Sequence, residues 1–168
     1  MGFTNNIPGA ILLDPTSACN LHCTGCWAAE YGNKLNLSFD EIDSIIQQGK
    51  ELGVYMYIYT GGEPLVRKKD LIALCEKHHD CQFLSFTNAT LIDEEFADEM
   101  LRVKNFIPAI SVEGFESATD GRRISNCCYA VYDESFCNAA EKSFVYRCDK
   151  SKENIGSCRR EKSSILCD

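Results

Sequence analysis

The sequence predicts an α/β fold built on a parallel sheet. Three observations carry this expectation. Strands and amphipathic helices alternate over residues 10–112, and such alternation with helices of about 10–15 residues implies βαβ units. One strand, residues 54–59 (Val-Tyr-Met-Tyr-Ile-Tyr), is an unbroken β-prone run, which suits a sheet covered on both faces. Finally, polar, glycine or cysteine motifs recur just after each strand, where parallel α/β folds assemble their sites.

The elements follow in order. Residues 10–14 form the first expected strand, closed by Asp14-Pro15. A helix is expected over 38–52, with Ser38 and Glu41 as a capping box. Ile42, Ile45, Ile46 and Leu52 share one face, and Gly53 is the C-terminal stop. The second strand is 54–59. Residues 69–78 form a helix with Leu71, Ile72, Leu74 and Cys75 apolar, and 82–87 the third strand. A helix over 93–102 opens with acidic residues, which the helix dipole favours. Residues 106–112 are the fourth strand, and right-handed crossovers follow from the parallel order.

Composition bounds the function. The chain has 168 residues, 45% apolar and 25% charged, with formal net charge −8. It is long enough for a real core and not disordered as a whole. The acidic balance argues against a phosphate-tracking nucleic-acid binder. Its longest apolar run, six residues, is far short of the 18 or so that span a membrane. Residues 1–9 lack the basic-then-apolar pattern of a secretory signal. A cytoplasmic protein with no membrane or nucleic-acid partner is the expectation.

Cysteine is the anomaly, with 11 in the chain. Cys19, Cys23 and Cys26 lie within eight residues after the first strand. Three soft thiolates at this spacing suit an iron–sulfur cluster or zinc. Structural zinc wants a fourth ligand; His22 is available, but its place beside Cys23 makes joint chelation awkward. A 4Fe–4S cubane held by three cysteines keeps one iron open. Buried or disulfide-bonded cysteines are the plain alternative. Cys75 and Cys81 need no role beyond that of small apolar residues.

The triplet Cys-x3-Cys-x2-Cys after strand one, with Gly61-Gly62-Glu63-Pro64 after strand two, resembles the radical S-adenosylmethionine (SAM) superfamily. The likeness extends to Thr87-Asn88-Ala89-Thr90 and Ile110-Ser111-Val112-Glu113-Gly114 and covers about residues 7–123. It implies a partial TIM-type (β/α) barrel, of which four of about six units are legible. It implies that Cys19, Cys23 and Cys26 hold a 4Fe–4S cluster whose open iron is chelated by SAM. Gly61, Gly62, Glu63 and Pro64 would receive the SAM amino group, through backbone carbonyls or Glu63. Ser111 and Glu113 would meet the ribose, and Thr87 and Asn88 would lie near SAM or substrate. Trp27 would be core or flank the cluster. Flavodoxin or ferredoxin would supply an electron. SAM would then be cleaved to methionine and a 5′-deoxyadenosyl radical that abstracts hydrogen from a peptide or small metabolite. No general acid or base is assigned. His22, His78 and His79 are not demanded, and the last two are expected at the surface. The chain departs from the family pattern at Gly25, where an aromatic is usual, and at Asn88-Ala89, where Asn-Gly is commoner.

Residues 1–126 carry five cysteines and net charge −8; residues 127–168 carry six and net charge 0. Past residue 123 no strand–helix alternation continues, and no Cys-x2-Cys pair occurs. The expected organisation is therefore a radical SAM core over 1–123 and a cysteine-rich tail over 124–168, the latter non-native, frameshifted or disordered. Two further readings stay open: a truncated fragment that binds a cluster without turnover, and a zinc-binding module.

Overall fold

The computed structural model describes residues 7–111 and 116–123. Four strands, β1 (Ile11–Thr16), β2 (Met56–Gly61), β3 (Gln82–Thr87) and β4 (Phe106–Ile110), form one sheet in the order β1-β2-β3-β4. Every pairing is parallel. Helices α1 (Phe39–Glu51), α2 (Lys68–Lys77) and α3 (Glu94–Val103) connect them, and α4 (Glu116–Arg123) follows β4. Two short 3-10 helices, Trp27–Lys34 and Pro64–Arg67, lie after β1 and β2. The α/β parallel architecture read from the sequence is the one observed.

Local chemistry sets the boundaries. Ser38 accepts from the Glu41 N–H while Glu41 accepts from the Ser38 N–H, so the capping box is complete. Gly53 stops the helix at φ +90°, a conformation that suits glycine. Asp93 caps α3 through the Phe96 N–H. β1 runs on through Asp14-Pro15, with a register shift between Leu13 and Thr16; proline is tolerated there because β1 is an edge strand among the described residues. The Pro15 carbonyl is taken by the Leu37 N–H and the Arg67 guanidinium. β2 begins two residues later than the apolar run suggests, because Val54 packs in the core before the ladder starts.

Only one face of the sheet is covered by the described residues. Tyr57, Tyr59, Phe83 and Phe106 point into a core with Ile42, Ile46, Leu71, Leu74, Phe96 and Met100. Phe83 stacks between Tyr57 and Tyr59, each 5.7 Å between ring centroids. Leu12, Met56 and Phe86, on the alternate positions, remain exposed. The apolar run over 54–59 reflects a strand with one helix-packed face and one face open among the described residues.

His78 corrects an expectation from the sequence. It is buried, and its Nε2 lies 2.8 Å from Asp43 Oδ1 on α1. Lys77 and Gln47 also reach Asp43. Burial alone would raise the Asp43 carboxyl. The hydrogen bonds and charges of Lys77 and His78 outweigh it and hold the group below the usual carboxylate range. His79 is exposed as expected, and Cys75 and Cys81 are buried and free. No described helix is long and apolar enough to cross a membrane.

Candidate active site at the carboxyl ends of the strands

The motifs after β1, β2, β3 and β4 converge on one cavity of about 170 Å³. Its wall contains Cys19, Cys23 and Cys26, then Gly61, Gly62 and Glu63, then Thr87, Asn88 and Ser111. Trp27 lies at the rim, 57% exposed, so it flanks the thiols and is not core. Pro64 is buried behind the wall as the first residue of a 3-10 turn. Glu113 and Gly114 lie outside the described residues, as does the tail over 124–168.

Glu63 organises the rim. It is 1% exposed. One carboxylate oxygen accepts from Thr87 Oγ1 at 2.7 Å and the Leu65 N–H at 3.0 Å; the other accepts from the Asn88 N–H at 2.7 Å. Burial pushes its pKa up, and these three donors and the Arg123 charge pull against that. The carboxylate is therefore committed to joining the β2 turn to the end of β3.

The two glycines serve the chain itself. A Cβ on Gly62 would stand 2.2 Å from the Ala18 carbonyl oxygen, and one on Gly61 2.7 Å from that of Thr16. The Gly62 and Glu63 N–H groups donate to these same two carbonyls at 2.9 and 2.7 Å. The close approach needed here is between the β2 turn and the start of the cysteine loop. Gly25 sits at φ +71° with open space around it, so its glycine answers to backbone conformation rather than to crowding.

Asn88 joins the third motif to the first. Its Nδ2 donates to Asn20 Oδ1 at 2.9 Å, and its Oδ1 accepts from the Thr90 N–H and hydroxyl. Ala89, at φ +62°, makes this turn. That conformation explains why glycine is the usual occupant.

Sequence reasoning missed α4 and its last two residues. Arg123 is 4% exposed and lines the same cavity, with Nη2 donating to the Ser111 carbonyl at 3.0 Å. The Arg122 carbonyl accepts from the Thr24 N–H in the cysteine loop. Burial raises the Cys19 and Cys23 thiols, and the Arg123 charge opposes that. The sequence signal was slight: a dibasic pair just where the alternation stops.

The donor set fits a cluster better than one ion. The three thiols are free, half-buried and share one cavity. Yet no three His, Cys, Asp or Glu side chains among the described residues form a single-ion group. Zinc would draw its sulfurs to about 2.3 Å from one centre. His22 is exposed and is not in the cavity wall. Among the described residues no fourth ligand joins the three thiols, a donor set that fits a larger group with one open corner, whose negative charge the buried Arg123 guanidinium would offset.

A larger cavity of about 740 Å³ adjoins, sharing Trp27, Gly61 and Gly62. Leu12, Asp14, Tyr31, Lys34 and Leu35 help to line it. Residues 35–37 cover the outer edge of β1 beside it, with Asn36 bridged antiparallel to Thr16.

Comparison with known proteins agrees with this architecture. The family model described as Radical SAM superfamily matches residues 13–145. The Fe-coproporphyrin III synthase of Methanosarcina barkeri is 29% identical over 70% of this chain and 30% of its own length. The PqqA peptide cyclase of Bradyrhizobium diazoefficiens is 30% identical over 71% of this chain and 32% of its own. Among solved structures, native anSMEcpe with bound AdoMet superposes with a TM-score of 0.66 at 22% identity, covering 80% of this chain and 41% of that one. The chain thus spans about a third of the curated relatives it matches.

Proposed function

This chain belongs to the radical SAM superfamily, and from that premise we propose that it is the core of an enzyme that binds a 4Fe–4S cluster and SAM. The observation that carries the reading is the gathering of three cysteines, the Gly-Gly-Glu turn, Asn88, Ser111 and Arg123 on one cavity. Cys19, Cys23 and Cys26 would hold the cluster. The bound cluster would supply the electron for reductive cleavage of SAM, the chemistry that would yield methionine and a 5′-deoxyadenosyl radical for hydrogen abstraction from substrate.

The chain's own residues bind and orient. Carbonyls of the turn over 61–64 accept from the SAM amino group. The Arg123 guanidinium, buried and aimed along the cavity wall, suits its carboxylate. Ser111, at the end of β4, offers a hydroxyl to the ribose, and Glu113 is proposed for the same role. Trp27 presents an aromatic face beside the third cysteine, in place of the aromatic that Gly25 lacks. Thr87 and Asn88 hold the turn and the cysteine loop in register. The adjoining cavity gives a substrate room next to the thiols. A peptide or small metabolite is the proposed substrate class, and flavodoxin or ferredoxin the electron donor. The boundary proposed from sequence, a core over 1–123 and a distinct segment over 124–168, is tested by reading the gene across codons 118–130.

Electron paramagnetic resonance on the anaerobically reconstituted, dithionite-reduced protein tests the central reading. A 4Fe–4S signal that changes when SAM is added supports it, and 5′-deoxyadenosine in the mixture establishes turnover. A cluster signal indifferent to SAM makes the chain a cluster-binding fragment. No cluster at all defeats the proposal.

A further inference from the structure

The three cysteines are not equivalent. The Leu21 N–H donates to Cys19 Sγ at 3.4 Å, and Asn88 Nδ2 approaches the same sulfur at 4.0 Å, the outer reach of an N–H···S contact. Among the described residues the structure gives no such donor to Cys23 Sγ or Cys26 Sγ. The Asn88 amide is itself fixed. Its oxygen is held by the Thr90 N–H and hydroxyl, its nitrogen by Asn20 Oδ1, and its backbone N–H by Glu63. Asn20 in turn donates to Thr90 Oγ1 at 2.7 Å. This ring of contacts settles which end of the amide faces the sulfur: the oxygen is occupied by donors, so the NH2 group points toward Cys19.

We infer that Asn88 is a positioning and tuning residue that sets the reduction potential of the cluster through its N–H toward the Cys19 sulfur. The inference rests on the cluster reading above. Reduction adds an electron whose charge spreads onto the ligand sulfurs. An N–H aimed at one of them stabilises the reduced form more than the oxidised form and raises the potential. The corner held by Cys19 would then be the best stabilised of the three.

The test uses the full chain, reconstituted with iron and sulfide under anaerobic conditions, in a redox titration followed by electron paramagnetic resonance. Asn88→Asp keeps the size and the oxygen that Thr90 holds, and places an acceptor where the donor was. The expected result is a lower midpoint, with about a tenfold change in the oxidised-to-reduced ratio at fixed potential, equivalent to about 59 mV for one electron. A midpoint equal to wild type, with the same cluster content, overturns the inference and leaves the functional reading intact. A second measurement needs no variant to fold. Wild-type protein carrying 15N-asparagine should show 15N coupling to the reduced cluster by pulsed resonance, and absence of that coupling overturns the inference. A wild-type chain that takes up no cluster overturns both.

Discussion

Two buried polar networks lie at different places on this sheet and teach different things. The first, on the helical side, joins Asp43, Gln47, Lys77 and His78, with Asn105 holding the carbonyls of Cys75, His78 and Cys81. The second, at the strand ends, joins Glu63, Thr87, Asn88, Asn20 and Thr90. Both bury a carboxylate, and both connect residues more than twenty positions apart. The first lies between α1, α2 and the start of β4, away from the cavity with the thiols. The second borders a cavity that also holds three thiols and a guanidinium. Polar burial alone does not mark a site; polar burial that faces a cavity with reactive groups does.

The comparison breaks most sharply at Glu63. Glu63→Ala strands the Thr87 hydroxyl and two backbone N–H groups. It is expected to cost about 3 kcal/mol or more and to abolish cluster uptake, read from urea unfolding and from iron content. Gly62→Ala comes next. Its methyl meets the Ala18 backbone, so the turn and the cysteine loop must part at a cost of about 1–3 kcal/mol. Visible absorbance after reconstitution should fall in that variant.

Asp43→Asn tests the other network. It should lose about 1–2 kcal/mol yet take up iron like wild type. Its pH behaviour sharpens the contrast. The Asp43 carboxyl lies below its unfolded value of about 3.9, so its stabilisation is present above that pH and lost as pH falls through the lower folded value. Acid unfolding curves of wild type and Asp43→Asn should therefore converge below about pH 4. An unchanged gap would remove Asp43 from the account.

The smallest effect is expected at Ala89→Gly. Relief of the left-handed conformation offers about 1–2 kcal/mol. Glycine's extra freedom costs about 0.5–1 kcal/mol, and loss of a buried methyl about 0.8 kcal/mol. The net should lie within about 0.8 kcal/mol of zero by these values, checked by thermal unfolding. A large gain would mean that the methyl contributes little to packing.

Features set by neighbouring residues were legible in the sequence. The Ser38 capping box, the Gly53 stop and the limits of β3 depend on contacts a few positions apart. The convergence of motifs on one rim was also legible, because parallel strands place their ends together. What escaped was decided by distant partners. Glu63 reads as an acceptor for the SAM amino group until Thr87 and Asn88 arrive from β3 and take its oxygens. His78 reads as a surface residue until Asp43 comes from α1. Arg123 reads as the last residue before a break until α4 turns it toward the thiols. Each is a charged or polar group whose burial rests on a partner that no local pattern announces.

Trp27 is the chain's sole tryptophan, placed directly after Cys26 and in edge contact with Tyr31, 5.9 Å between ring centroids. All tryptophan emission therefore originates beside the thiols and none from the core. An iron–sulfur group seated there would absorb across that emission band and dim it. The fluorescence of the protein is thus a built-in gauge of how full the cysteine loop is. Unfolding followed by that signal will report on the cysteine loop rather than on the sheet core.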